Sequence, residues 1–434
     1  MNNNVNKKAA LYTLGCKVNQ YETEALAQLF REQGYDIVEF SEKADVYVIN
    51  TCTVTHLSDR KSRQMIRRAK KTNPEAKIAV MGCYAQVAPE EVKEIPGVNI
   101  VTGVKNRRGI VGLLQEIGEE PQVKVDDLGK ADFEEIPLGE VRRTRAFIKI
   151  EDGCEHYCSY CLVPFARGPV RSRKLINIVE EAQRLISLGT REIVLTGVNL
   201  GAYGKDIEGD LNLTKVIQEL DQLPGLGRFR LSSLEPTDFT MELVEAIVES
   251  EKMCPHLHIP LQSGNDEVLR RMNRRYNTDE YRKLVKLLRY LIPDLALTTD
   301  VMVGFPGERE EYFKSTYHFV DEMSFSRLHV FKYSPRSGTA AVKFKDQSSP
   351  QEKEQRSKKL IQLGEKKAED YAGNFVGREV KVLFEEEVSG SALEGLSEHY
   401  LRVRAKAAPE KKGEILTVRV KEQGREYLVG TTTS

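Results

Sequence analysis

Six of the seven cysteines in this 434-residue chain fall into two sets of three. Cys154, Cys158 and Cys161 form a tight C-x3-C-x2-C run, while Cys16, Cys52 and Cys83 are spread over the first hundred residues. A structural zinc site takes four ligands in a closed shell. Two separate sets of three thiolates suit two [4Fe-4S] clusters, each leaving one iron open to bind something else. The rival reading is a zinc knot in which His156 supplies a fourth ligand to the compact set. Cys254 belongs to neither set and reads as a structural thiol.

The elements that must hold these residues alternate strand and helix. Strands are expected at 9–14, 35–40, 46–50, 77–81 and 99–102, with helices at 21–32 and 58–71 between them, the pattern of an open, Rossmann-like α/β layer. Cys16, Cys52 and Cys83 each follow one of these strands, where parallel sheets bind their ligands. Domain boundaries are expected at 1–118 for this layer, 119–140 for a charged linker, 141–371 for a second α/β series and 372–434 for a β-rich end. The second series has strands at 146–150, 192–195, 229–231, 256–261, 295–303 and 328–333. It has helices at 175–188, 213–222, 241–249, 278–291 and 308–321. Six such units imply a partial (β/α)6 barrel with its site at the carboxyl ends of the strands. A charged helix at 351–371 reads as a connector. Strands at 379–384, 400–405, 414–420 and 427–429 imply a small five-stranded barrel or sandwich.

Lys plus Arg and Asp plus Glu both number 65, so overall charge gives no sign of a nucleic-acid partner. No apolar run approaches a membrane span and the N-terminus has no signal-peptide pattern, so a cytoplasmic protein is expected, with no membrane partner. In that compartment cysteine clusters serve as metal ligands or catalysts more often than as disulfides.

Residues 153–168 read GCEHYCSYCLVPFARG, with the aromatic Tyr160 just before the last cysteine. This segment resembles the signature of the radical S-adenosylmethionine superfamily. The resemblance implies a cluster whose open iron chelates S-adenosylmethionine, which is split by one electron into methionine and a 5′-deoxyadenosyl radical. The superfamily's usual frame is the partial barrel already expected from the strands. Strand ends then supply candidate cofactor contacts beside Tyr160: Thr196, Gly197 and Asn199; Ser232, Ser233 and Glu235; Gln262; and Gly304. The plain alternative for each is a helix cap or a tight turn.

TLGCKVNQYET (13–23), VINTCTVT (48–55) and VMGCYAQ (80–86) resemble the N-terminal domain of the methylthiotransferases, and the β-rich end resembles the RNA-binding TRAM barrel. The resemblance covers nearly the whole chain in the family's domain order. It implies that Cys16, Cys52 and Cys83 hold a second cluster, whose open iron carries a sulfur that is methylated and delivered to an unreactive C–H position. Two molecules of S-adenosylmethionine are then used, one as methyl donor and one as radical source. Lys17-Val18-Asn19-Gln20 and the run 59–64 (DRKSRQ) look like the branch acting on N6-threonylcarbamoyladenosine beside the anticodon of tRNA. The isopentenyl-adenosine branch more usually has glutamine-methionine-asparagine after its first cysteine, and the ribosomal-protein branch proline-lysine-asparagine.

Local charge suits an RNA substrate. Arg60, Lys61, Arg63, Arg67 and Arg68 lie in an acid-free run from 60 to 71, and Arg402, Arg404 and Lys406 form a strip in the last domain. A solvated helix face is the bland account of the first run. The remaining expectations are a one-electron donor such as flavodoxin or ferredoxin, and a monomer. A zinc-stabilised RNA-binding protein without catalysis explains the cysteines and basic strips but not the six-unit barrel.

Overall fold

The computed structural model describes residues 6–116, 118, 120–129, 132–136, 144–388 and 392–433. Lys8–Thr13 (β1), Asp36–Val38 (β2), Val46–Thr51 (β3), Lys77–Gly82 (β4), Ile100–Thr102 (β5) and Gln122–Lys124 (β6) form one all-parallel sheet in the order β2-β1-β3-β4-β5-β6. Its central strands are apolar on both faces because helices cover both. Tyr47, Ile49, Ile78 and Val80 pack with Met65, Ile66 and Ala69 of α2 (His56–Thr72). Val46, Val48, Ala79 and Met81 pack with Leu26 and Phe30 of α1 (Lys17–Glu32) and with residues of α5 (Ile110–Glu116). The short helices α3 (Cys83–Val87) and α4 (Pro89–Lys93) follow β4.

Both long helices begin earlier than their apolar spacing indicates. α1 starts directly after Cys16 rather than at Tyr21, and α2 starts at His56, capped by the Thr55 hydroxyl accepting from Ser58 N at 3.2 Å. The stretch expected as a linker contributes the edge strand β6 and buries Leu128 and Ile136.

The central strands are β7 (Arg145–Lys149), β8 (Glu151–Asp152), β9 (Arg171–Ser172), β10 (Glu192–Thr196), β11 (Arg228–Leu231), β12 (His256–His258), β13 (Ala296–Val303) and β14 (Arg327–Lys332). β8 and β9 form a small antiparallel pair. The other six run in order as two parallel ladders, β7-β10-β11 and β12-β13-β14, joined by bridges Phe229↔Met253 and Ser233↔His258. This is the expected open six-strand barrel. Alternate residues such as Ile148, Ile193, Leu195, Phe229, Leu231, Leu257 and Val301 belong to one core with the surrounding helices. Those helices are α6 (Val163–Arg167), α7 (Leu175–Ser187), α8 (Leu213–Gln222), α9 (Met241–Glu249), α10 (Asp266–Arg271), α11 (Thr278–Leu291), α12 (Glu310–Met323) and α13 (Pro350–Gly373). The intervening residues, Arg145, Glu192, Arg228, Arg230, His256, His258, Asp300 and His329, take the opposite, inner face. α13, expected as a connector, is the barrel's last helix. It buries Leu360 and Leu363 in the central core and places Arg356 against Glu308 at 2.9 Å.

The C-terminal strands, β15 (Glu379–Val388), β16 (Ala392–Ser397), β17 (Arg402–Lys406), β18 (Ile415–Gln423) and β19 (Leu428–Thr432), close into a barrel in the order β15-β16-β17-β19-β18. β16 escapes the sequence reading because Glu394 and Gly395 interrupt its pattern; Glu394 pairs with Arg404, and a Cβ at Gly395 would fall 2.0 Å from Leu383 O.

This barrel docks on the starting ends of the central strands. Arg228 donates to Lys381 O and Leu396 O, both at 2.9 Å, and Arg230 donates to Ser397 O at 2.6 Å and Glu398 O at 2.8 Å. Glu192, fully buried, accepts from both arginines, and His256 stacks on Tyr400 with ring centroids 4.7 Å apart. Burial alone would raise the Glu192 carboxyl, but Arg230 and Arg228 overcome it and hold it down to about 2. Glu192→Gln leaves the two arginines without their counter-ion, and we expect a loss of about 3–5 kcal/mol in denaturant unfolding near neutral pH. Because the folded carboxyl titrates below the unfolded one, the wild-type advantage should be full above pH ~4.5 and fade as pH falls toward 2.

Candidate metal centres at the sheet–barrel junction

β1, β3 and β4 are immediate neighbours, so the chain leaves the sheet at three adjacent carboxyl ends. Cys16, Cys52 and Cys83 sit just beyond these three ends. Gly15, at φ +99°, lets the first turn press on the second: a Cβ there would lie 2.7 Å from Cys52 Cβ and 2.9 Å from its Sγ. Asn19 locks the two turns together, donating to Leu14 O at 2.7 Å and Thr51 O at 3.0 Å. Cys52 and Cys83 are pushed up by burial, Cys83 to about 12, and the Cys83 thiol feels both Cys52 and Cys16.

The compact triplet occupies the loop between β8 and α6. Gly153, at φ +95°, starts this loop where a Cβ would come within 1.9 Å of Pro169 O. Cys154 N donates to Gly168 O at 3.0 Å, closing the loop at its base, and Cys161 N donates to Cys158 O at 2.9 Å. Burial pushes Cys154 and Cys161 up to about 12, and Cys161 feels both other thiols of its set. A buried thiol of this kind stays protonated until a metal displaces its proton.

Arg167, the last residue of α6, joins the two sets. Its guanidinium donates to Cys83 Sγ at 3.3 Å, Glu22 Oε1 at 2.6 Å and Asp152 Oδ1 at 3.2 Å, and also to Asn19 Oδ1. Lys149, Arg107 and Arg171 complete a buried ionic group around Glu22 and Asp152. Burial would raise both carboxyls; these cations instead hold both well below the usual range. A second buried arginine, Arg336, ties the far end of the barrel to the Cys52 turn, reaching Asp59 at 2.6 Å, His56 Nδ1 at 3.1 Å and the Thr53 hydroxyl. Neither arginine stands out in the sequence. Arg167 closes the cysteine run at Gly168, which is the one local hint.

The candidate cofactor contacts divide into two groups. Arg274, which the sequence reading missed, donates to Cys158 Sγ at 3.3 Å and to Glu235, linking a strand-end carboxylate to the compact triplet. Asn199 N donates to Glu151 Oε2 at 2.7 Å, and Gly197 leaves room for that carboxyl, 2.7 Å from where a Cβ would be. Burial raises Glu151 strongly beneath the Thr196–Asn199 turn. Asn199 Oδ1, Ser232 Oγ and Glu151 Oε1 are buried polar atoms without a hydrogen-bond partner among the described residues. Ser233 bridges to His258, and Tyr160 lies edge-on to Phe305 with centroids 6.3 Å apart. Of the remaining candidates, Gln262 N pairs with Asp300 O at 2.8 Å, and Gly304 N donates to Glu308 Oε2 at 2.6 Å.

On α2, Arg60, Lys61, Arg67 and Arg68 are exposed, whereas Arg63 is engaged by Tyr84 Oη at 2.9 Å and Glu91 at 3.1 Å. In the C-terminal barrel Lys406 is exposed, while Arg402 and Arg404 share Glu394 and Arg404 lies over the Tyr427 ring at 3.8 Å.

Residues 8–103 match the family described as "Uncharacterized protein family UPF0004", and residues 148–320 match the "Radical SAM superfamily". The "Threonylcarbamoyladenosine tRNA methylthiotransferase MtaB" of Bacillus subtilis is 43% identical over 97% of this chain and 95% of its own. The protein of that name from Thermotoga maritima is 37% identical over 98% and 96%. The chain belongs to the radical S-adenosylmethionine methylthiotransferases. A "tRNA-2-methylthio-N(6)-dimethylallyladenosine synthase" of Clostridium botulinum is 35% identical over 84% of this chain and 83% of its own. Among solved structures, the radical S-adenosylmethionine methyltransferase TsrM of Kitasatospora setae shares the fold at TM-score 0.56 and 15% identity, over 75% of this chain and 73% of its own.

Methylthiotransferase cofactors are [4Fe-4S] clusters and S-adenosylmethionine, and the side chains here fit them. Each site offers three converging thiols. His156, which the rival zinc knot would need as its fourth ligand, is turned to Asn199 at 3.3 Å. Among the described residues no three ligating side chains are gathered tightly enough for a single ion; a cube ligated at separate corners holds its thiolates further apart. The unpartnered Asn199 and Ser232 atoms suit the polar groups of S-adenosylmethionine. Cys158→Ala should abolish deoxyadenosine formation from S-adenosylmethionine and remove about half of the bound iron. Cys52→Ala should lose a similar share of iron yet keep forming deoxyadenosine, as read by chromatography of the reaction.

Proposed function

We propose that this methylthiotransferase transfers a methylthio group to C2 of N6-threonylcarbamoyladenosine next to the anticodon of tRNA. The observation that carries this reading is the Arg167 link, which sets a radical-forming cysteine loop against a second cysteine triplet, in a chain 43% identical to the Bacillus relative over 97% of its length. The bound cofactors would supply hydrogen abstraction from carbon and a methylated sulfur. The chain's residues position and shield. Arg274 holds Glu235 beside Cys158, Arg167 fixes Cys83 relative to Asp152 at the base of the compact loop, and the docked C-terminal barrel covers the starting ends of the central strands.

Val54, Leu57, Tyr157 and Phe165 are exposed apolar residues flanking the two cysteine sets, and they suit the faces of bases unstacked from an RNA loop. The exposed face of α2 runs outward from the Cys52 turn and would contact phosphates, while groups near the clusters would choose the base. A one-electron carrier such as flavodoxin or ferredoxin would reduce the clusters in the cytoplasm, with the enzyme acting as a monomer. Among the described residues no helix is long and apolar enough to cross a membrane. The Clostridium relative supports a second reading, the isopentenyl-type adenosine.

Nucleosides from tRNA of a gene-deleted strain and its complemented counterpart decide between them by mass spectrometry. We expect loss of only the methylthio form of threonylcarbamoyladenosine, restored on complementation; loss of the isopentenyl derivative instead would establish the second reading. Replacing Arg67 and Arg68 by Ala should weaken tRNA binding and lower the slope of log K against log salt by about 1–2. An unchanged slope would make that face merely solvated.

A further inference from the structure

The inner wall of the central barrel carries charge that neither cluster site uses. Lys17 is the first residue of α1, next to Cys16, and α1 leans on the barrel: Tyr21 and Ala25 are buried in the central core, and Tyr21 Oη donates to Ile136 O at 3.1 Å. The Lys17 ammonium is largely sheltered, and the charges it feels are Arg145, Arg230 and Glu192 on the inner face of β7, β11 and β10. It also bears on His256 and His329 of β12 and β14, both held below their ordinary range chiefly by burial. Lys17 lies one turn before Tyr21 on the same face of α1, so its side chain is turned toward the central barrel.

The other cations there are committed. Arg145 lies 3.9 Å from Glu192 and 3.4 Å from Glu385, and Arg228 and Arg230 share Glu192 and the carbonyls of the docked barrel. Four cations, Lys17 included, are set among Glu192, Glu385, Glu398 and the inner-face Asp300, which lies 3.4 Å from His258. Lys17 alone among those four makes no hydrogen bond or ion pair among the described residues. A sheltered ammonium without a counter-ion is costly, and a ligand anion relieves that cost.

We propose that Lys17 receives the free carboxylate of the N6-threonylcarbamoyl group and is the residue that selects an acidic over an apolar N6 substituent. This rests on the substrate proposed above. C2 and N6 share the Watson–Crick edge of adenine, so a base whose C2 lies between the two cysteine sets presents its N6 substituent to the adjoining wall. Lys17 stands on that wall beside Cys16. One charge-assisted hydrogen bond suffices for discrimination of about 10- to 100-fold.

The test compares tRNA carrying the threonylcarbamoyl group with the same tRNA whose carboxylate has been converted to a carboxamide. For the reconstituted wild type, Lys17→Gln and Lys17→Arg, kcat/KM is measured on both forms and iron per chain is counted. We expect the acid-over-amide preference, taken as a ratio within each enzyme, to collapse about 10- to 100-fold in Lys17→Gln, mainly through KM, and to persist in Lys17→Arg. An unchanged ratio in Lys17→Gln overturns the proposal. So do equal losses on both forms with reduced iron, which would make Lys17 a support for the Cys16 turn. A wild type that ignores both forms and methylthiolates isopentenyl-adenosine would instead overturn the substrate reading, and the proposal with it.

Discussion

The ionic group around Arg167 is the contact on which the rest of the molecule depends. Arg107, Lys149, Arg167 and Arg171 meet Glu22 and Asp152 with all six side chains nearly excluded from solvent, and the less buried Glu134 also reaches Arg107. Such a group contributes little net stability compared with apolar packing, because desolvating the charges offsets their attraction. What it does provide is register: removing one partner strands the others, so only one relative placement of helix and loop satisfies all of them. Glu22 and Asn19 belong to the helix that follows Cys16, while Asp152 and Arg167 bracket the compact cysteine loop. Their pairing sets two cysteine sites from distant sequence against each other.

The same device recurs at the opposite pole. Glu192 gathers Arg228 and Arg230 at the starting ends of the strands, and both arginines continue to backbone carbonyls of the C-terminal barrel. Both ends of the central barrel are thus held by arginines whose donors fan across a domain junction. Guanidinium suits this work because its fork of donors satisfies carboxylate and carbonyl together without losing its charge. Between the two poles, the inner wall keeps a polar face that a simple packed core would not tolerate.

Overall neutrality coexists with a strongly uneven distribution of charge. Cations are buried where thiols and carboxylates meet and are exposed along α2, while Arg402 and Arg404 are partly neutralised by Glu394. In the proposed function, long-range attraction for RNA would fall mainly to α2, which starts close to the Cys52 turn. Exposed apolar side chains around the cysteines suit the short-range part of recognition.

The sequence by itself determined the two cysteine triplets, the parallel sheet, the six-unit barrel and the family. Strand periodicity and the short C-x3-C-x2-C spacing are local properties, and the positions of Cys16, Cys52 and Cys83 after three strands already implied a shared sheet edge. Local patterns also misjudged some elements: β6 lay inside an expected linker, α13 looked like a connector although its apolar stripe packs on β14, and the pattern of β16 is broken by Glu394 and Gly395. Only the tertiary structure decided that Arg167, Arg274 and Arg336 serve the sites. Their partners lie at sequence separations of 148 for Asn19, 116 for Cys158 and 283 for Thr53. An arginine's role is set by which carboxylate or thiol its guanidinium meets after folding, and nothing in its neighbouring residues records that meeting.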